Sequence, residues 1–281
     1  MKRWLNWREI EKMNVWGVRR KDREEALRWD AGAGQWEQRA RREGDAGERQ
    51  VRLMTRLRPE YTVLDVGCGT GPLSLPLARR AKKVYALDSS QAMLNILMEK
   101  ARSQGLSNIV PILGNWYEME PGRDFPICDI AAARHAPCQS DILGFSKAAS
   151  QYCYSLWNVA PLEEENYHEN PGVLSAPGEN PGRIYNEPNG RLFGFHVHFN
   201  ILYDAGANPE VKYDIERKDY VGHSPEEILN QIFPPLPGPG CIPEALLKQI
   251  RSEIREKGGV FYYQMVRRVS ILGWNPQDIT F

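Results

Sequence analysis

Asp65, Gly67, Gly69 and Gly71 stand at alternate positions in Val63-Leu64-Asp65-Val66-Gly67-Cys68-Gly69-Thr70-Gly71. Glycines allow a backbone turn closed to other residues and let a ligand lie against the main chain. A second carboxylate, Asp88, ends the apolar run Val84-Tyr85-Ala86-Leu87. At the end of a strand it can accept both hydroxyls of a ribose. A dinucleotide fingerprint requires G-x-G-x-x-G. Here position 72 is proline, and Asp65 would repel a pyrophosphate.

These residues need a strand, a glycine turn and a helix to position them. Tyr61 to Val66 is a short apolar run that predicts a buried strand. Pro72 suits the first position of a helix running to about residue 81. Residues 83–88 predict a second strand, followed by a helix over about 90–104 that Ser89 or Ser90 caps and Gly105 ends. Residues 108–113 predict a third strand and 129–133 a fourth, with Arg134, His135, Ala136 and Pro137 at its carboxyl end, where ligands bind in such sheets. A helix over about 140–150 leads to a fifth strand at 152–158.

The pattern D-x-G-x-G-x-G resembles motif I of the class I, Rossmann-like S-adenosylmethionine-dependent methyltransferases. Asp88-Ser89-Ser90-Gln91-Ala92-Met93-Leu94 resembles their D-x-S-x-x-M-L segment. The resemblance covers residues 50–160 well and the rest loosely. It implies S-adenosylmethionine as cofactor and S-adenosylhomocysteine as product. A sulfonium and an ammonium, unlike phosphates, are attracted by a carboxylate near the turn. The implied cofactor residues are Asp65, Gly67, Cys68, Gly69, Gly71, Asp88, Ser89, Met93, Asn115, Trp116 and Arg134. Asn115 departs from the aspartate frequent in the family, although its side-chain oxygen can accept the same bond from the adenine amine.

Methyl transfer is an in-line displacement that needs orientation, a dry cavity and sometimes a base. His135 is the best placed candidate for the base, with an ordinary pKa near neutrality. Trp36, His135, Tyr154 and Asn158 are candidate substrate residues by position. His196 and His198 are two apart and diverge on a helix, so no metal site is expected. Pro137-Cys138-Gln139 also resembles the nucleophile motif of DNA cytosine carbon-5 methyltransferases. Trp157 replaces the glutamate that family places before Asn-Val, and its motif I begins with an aromatic residue where this chain has Asp65.

The expected fold is α/β: a doubly wound, mostly parallel seven-stranded sheet with an antiparallel last strand and an N-terminal helical cap. Residues 1–55 form the cap or lid, with helices at 6–14, 21–30 and 34–56 broken at Gly32 and Gly34; Trp29-Asp30 to Trp36 resembles the lid entry of related enzymes. Residues 56–281 form the methyltransferase domain, with a Pro- and Gly-rich insertion at about 160–191. Beyond it come a helix at 192–205, a strand at 211–221, a capped helix from Ser224, a helix at 243–257 and a last strand at 260–271.

The 281 residues balance 36 Lys and Arg against 36 Asp and Glu, which argues against a broad nucleic-acid surface, although residues 1–60 carry 16 basic and 11 acidic side chains. Five cysteines without a C-x-x-C pair argue against a disulfide framework or a zinc site. The start lacks a signal-peptide core and no 18-residue apolar run exists, so a cytoplasmic protein away from membranes is expected. The reading is methyl transfer to a small or medium-sized molecule. Two others stay open: a protein that binds the cofactor without turnover, and an RNA or protein methyltransferase.

Overall fold

The structure is a computed structural model that describes residues 6–12, 23–159, 195–233 and 244–280. The described residues fall into two units. One lies within Met1–Asn158, Arg191–Asp214 and Val269–Phe281, the other within Val159–Gly190 and Ile215–Arg268. The 160–191 insertion and the start of the 192–205 helix lie outside the described residues.

In chain order the elements are α1 (Trp7–Lys12), α2 (Arg23–Arg42), α3 (Ala46–Leu53), β1 (Thr62–Val66), α4 (Ser74–Ala78), β2 (Lys83–Asp88), α5 (Gln91–Ser103), β3 (Ile109–Leu113), β4 (Cys128–Arg134), α6 (Ile142–Ser146) and β5 (Ala149–Asn158). Then come α7 (Phe195–Asp204), β6 (Glu210–Gly222), α8 (Pro225–Ile232), α9 (Glu244–Glu253), β7 (Arg255–Lys257) and β8 (Val260–Trp274). The strand order is β3-β2-β1-β4-β5-β8-β6, with β7 paired to β8. Strands β1 to β5 pair in parallel, and β8 runs antiparallel to β5. Seven strands therefore lie on the main path, and the sheet has a short eighth that the sequence reading did not include.

Alternate residues of the central strands feed two apolar layers, as the two-residue period of a strand requires. Val63, Ile130 and Ala132 join Leu75, Leu77, Leu94 and Leu97 from α4 and α5. Leu64, Val66, Ala131 and Ala133 join Ile142, Phe145, Val197 and Ile201 from α6 and α7. Trp274, fully buried, belongs to the second layer and donates its Nε1–H to Ser146 Oγ at 2.9 Å. Burying each of these leucines and isoleucines stabilises the fold by about 1.5–3 kcal/mol. The second unit has its own small core of Tyr220, Ile228, Leu229, Phe233, Ile250 and Tyr263.

Two expectations are corrected. Helix α2 runs through Gly32 and Gly34, and the break falls at residues 43–45, where Gly44 has φ 59°. A helical glycine costs about 1 kcal/mol against alanine. Ala33 is buried between the two glycines, and Trp29 packs on Trp36 across them with ring centroids 5.2 Å apart. The second correction concerns residues 255–257, which form strand β7 where a helix to 257 was expected. Gly258 and Gly259 both have positive φ, 63° and 79°, and Lys257 pairs with Val260. That is a two-residue hairpin of the kind Gly-Gly favours. Among the described residues, no helix is long and apolar enough to cross a membrane.

Candidate active site

The loop after β1 hangs from the end of β2. The N–H groups of Gly67 and Cys68 both donate to Leu87 O, at 2.8 and 3.0 Å. Gly67, Gly69 and Gly71 have φ of 67°, 54° and 92°. They differ in what a side chain would meet. A Cβ on Gly67 would lie 2.7 Å from Ala136 Cβ, and one on Gly71 2.3 Å from Leu97 Cδ1; at Gly69 nothing lies within 4 Å. Gly67 and Gly71 thus close the loop against protein, while Gly69 leaves its face open.

Asp88 holds this loop in place. Its Oδ2 accepts from Gly69 N–H at 2.8 Å and its Oδ1 from Ser90 N–H at 2.9 Å. Burial raises its carboxyl above the usual range, against the pull of those backbone bonds. Asp65 is 1 % exposed and accepts from Ser74 Oγ at 2.6 Å. Removal from water pushes Asp65 up to about 7, with the Asp88 charge adding to the rise and the Ser74 bond and Arg134 opposing it. Ser90, not Ser89, caps α5: its Oγ accepts from Met93 N–H at 3.1 Å.

These groups border a cavity of about 530 Å³. Asp65, Gly67, Cys68, Gly69, Asp88, Ser89, Met93, Asn115, Trp116, Arg134, His135 and Trp36 all line it. Asn115 also caps a short 3-10 turn, its Oδ1 accepting from Tyr117 N–H at 3.1 Å. Trp116 packs its ring against Phe125 and Phe145, at 5.7 and 6.0 Å. His135 has φ 52°, the one positive value among described residues other than glycine, and its ring stacks on Trp157 at 5.8 Å. Such backbone strain at a cavity rim places the side chain where an ordinary turn would not.

Three sequence-derived residues are not brought to this cavity. Gly71 packs behind the loop, against Leu97. Tyr154 shares its face of β5 with Tyr152 and Leu156 in the first core layer, and its hydroxyl accepts from Arg56 N–H at 2.8 Å. Asn158 pairs with Val269 and has the same parity on β5 as Tyr154. Cys138 is fully buried, and burial holds its thiol well above the usual range, the opposite of an activated nucleophile.

Sequence reading missed most of the wall that α2 and the turn residue Glu43 after it supply. Ala26, Trp29, Trp36, Arg39, Ala40 and Glu43 line the cavity along one stripe. Trp29, Trp36 and Glu43 are seven apart, two helical turns each, a signal hidden once a break is placed at Gly32. The Arg39 guanidinium lies over the Trp36 ring, 4.4 Å from its centroid. Arg134, at the end of β4, is ion-paired with Glu43.

Polar ties dock α2 on α5. Asp30 Oδ1 accepts from Ser90 Oγ at 2.5 Å and from Ala92 N–H at 2.9 Å, and these bonds hold its carboxyl below the usual range. Lys100 Nζ donates to Glu37 Oε2 at 2.7 Å and to Thr70 O at 3.0 Å, so one ammonium joins the helix to the glycine loop. Burial would raise the Glu37 carboxyl, but bonds from Arg41, Lys100 and Thr70 outweigh it and lower it.

Residues 63–142 match a family described as a methyltransferase domain. A probable cobalt-precorrin-6B C(15)-methyltransferase of Methanococcus maripaludis is 35% identical over 69 residues, 25% of this chain and 38% of that protein. A probable ribosomal RNA small subunit methyltransferase A of Pyrobaculum islandicum is 30% identical over 137 residues, 48% of this chain and 52% of that protein. The chain thus spans about two fifths to half of the length of these curated relatives. The crystal structure of a putative methyltransferase from Bacillus halodurans shares the fold, with a TM-score of 0.50 at 17% identity over 81% of this chain and 98% of that one. Residues 63–142 are therefore similar to a methyltransferase domain, and the chain shares the fold of a structure described as a putative methyltransferase.

Proposed function

We propose that this protein binds S-adenosylmethionine in the 530 Å³ cavity and transfers its methyl group to a small acceptor. The observation that carries the reading is the open face of Gly69, held by the Asp88 carboxylate at the carboxyl ends of β1 and β2. The residues suit the group. The Asp88 oxygens keep acceptor capacity for ribose hydroxyls beside their bonds from the Gly69 and Ser90 N–H groups. Asp65 offers a carboxylate to a sulfonium or an ammonium, Trp116 and Met93 offer apolar walls to an adenine, and Arg134 offers a guanidinium to a carboxylate. When bound, the cofactor supplies an electrophilic methyl group for in-line displacement.

Helix α2 acts as the lid of the segment 1–55, and its two tryptophans keep water from the reacting face. His135 faces the acceptor and takes its proton where the acceptor must lose one. The curated relatives carry names for a cobalt-precorrin and for ribosomal RNA. The size of the cavity favours the small acceptor, because it falls within the roughly 300–1,000 Å³ typical of a single drug-sized ligand site.

Titration calorimetry with S-adenosylmethionine and S-adenosylhomocysteine tests the cofactor. Asp88→Ala removes charge-assisted hydrogen bonds of about 1.5–3 kcal/mol, so affinity falls ~10- to 100-fold. Unchanged affinity removes Asp88 from the site, and no binding by the parent protein removes the reading. A screen with labelled methyl groups then separates turnover from binding alone.

A further inference from the structure

Arg134 is a buried cation with an incomplete set of partners. Its side chain is 8 % exposed and that of Glu43, its ion-pair partner, 12 %. Glu43 engages Nη2, and among the described residues the buried Nε has no hydrogen-bond partner. A guanidinium presents a planar fork that a carboxylate meets best with two parallel bonds. A contact through Nη2 that leaves Nε unpaired falls short of that arrangement, and both partners border the cavity. A second guanidinium borders it too, that of Arg39, held over Trp36. Glu43 is the carboxylate paired with Arg134, and the buried carboxyl of Asp65 also lies near enough to feel the Arg134 charge.

We propose that Arg134 and Arg39 form a carboxylate subsite of the cavity, and that Glu43 sits in it as an exchangeable stand-in until the carboxylate of a ligand takes its place. The inference deepens the proposed function and rests on it for the identity of one ligand. The entering carboxylate comes from the amino-acid end of the cofactor or from the acceptor. In either case Glu43 leaves Arg134 as the ligand enters, so site filling is coupled to the C-terminal end of the lid helix α2. No covalent bond changes; one ion pair is exchanged for another.

Two ligands that differ only in the carboxylate test this: S-adenosylmethionine and decarboxylated S-adenosylmethionine. Benzoate, titrated into protein saturated with S-adenosylhomocysteine, probes an acceptor carboxylate. If the cofactor fills the subsite, Glu43→Gln tightens S-adenosylmethionine ~10-fold and leaves the decarboxylated ligand unchanged, while Arg134→Gln weakens S-adenosylmethionine alone by ~10-fold or more. If the acceptor fills it, Glu43→Gln leaves both adenosine ligands unchanged and tightens benzoate, and Arg39→Gln abolishes that gain.

Equal effects of Glu43→Gln on the paired adenosine ligands, or no effect on any ligand, overturn the subsite. Arg134→Lys keeps the charge without the fork and serves if Arg134→Gln fails to fold. Failure of the parent protein to bind either adenosine ligand removes the cofactor reading separately. Benzoate titrated into ligand-free Glu43→Gln then decides the subsite by itself: binding that Arg39→Gln abolishes supports it, and absence of binding overturns it.

Discussion

If the cofactor binds as proposed, Asp65 should make its binding a proton-releasing reaction. In the ligand-free protein its carboxyl, 1 % exposed, is held up to about 7 mainly by loss of water. At pH 6 about nine molecules in ten therefore carry the proton at this position. A unit positive charge about 4 Å away is worth roughly 4 kcal/mol at an effective dielectric of 20. A sulfonium or ammonium at that range lowers the carboxyl by up to about three units, back to the ordinary carboxylate range. The free protein holds the proton and the complex does not, so affinity is complete above pH 7 and is lost as the pH falls below it. Between pH 7 and pH 5 the dissociation constant rises ~50-fold, or ~2 kcal/mol. Calorimetry at pH 6 in buffers of different ionisation enthalpy should show ~0.9 proton released per ligand. Asp65→Asn should bind more weakly at pH 8 and show no such release. Heats independent of the buffer, or a release that persists in Asp65→Asn, would refute the placement of a cationic ligand centre beside Asp65.

Three further outcomes are expected. Gly67→Ala and Gly69→Ala both place alanine at positive φ, at about 1–2 kcal/mol each; only Gly67→Ala also collides with Ala136, so it should unfold at the lower urea concentration, while Gly69→Ala should keep its fold and lose ligand affinity. Lys100→Met leaves the Glu37 carboxylate, otherwise buried, with Arg41 as its remaining charged partner, and should destabilise the chain by about 1–3 kcal/mol in urea titrations, with faster proteolysis of the 23–42 helix. Cys138→Ser places a hydroxyl where the thiol is fully buried, costing about 1–3 kcal/mol of stability with turnover retained; loss of turnover with a trapped covalent adduct would restore the cysteine nucleophile.

The central sheet and the glycine loop were legible because their signals are local. Apolar runs of five or six residues, punctuated by Gly67, Gly69, Gly71 and the two aspartates, determine strand, turn and helix within a short stretch of chain. The same locality located Asp65, Asp88 and the end of β4 at one edge of the sheet, since parallel strands joined by right-handed crossovers gather their carboxyl ends there. Tyr154 and Asn158 were misplaced because side-chain parity on β5 depends on the register with β4 and β8, which no local pattern states. Helix α2 was split at Gly32 and Gly34 because propensity alone counts the cost of glycine there. The compensation comes from Lys100, Ser90 and Arg134, which lie 60 to 91 residues away along the chain from Asp30, Glu37 and Glu43. The sequence by itself therefore determined the sheet and the loop that faces the cavity and pointed to Trp36, whereas the continuous wall that joins Trp36 to Arg39 and Glu43 was decided by tertiary structure, because long-range ion pairs and hydrogen bonds offset a local preference against helix.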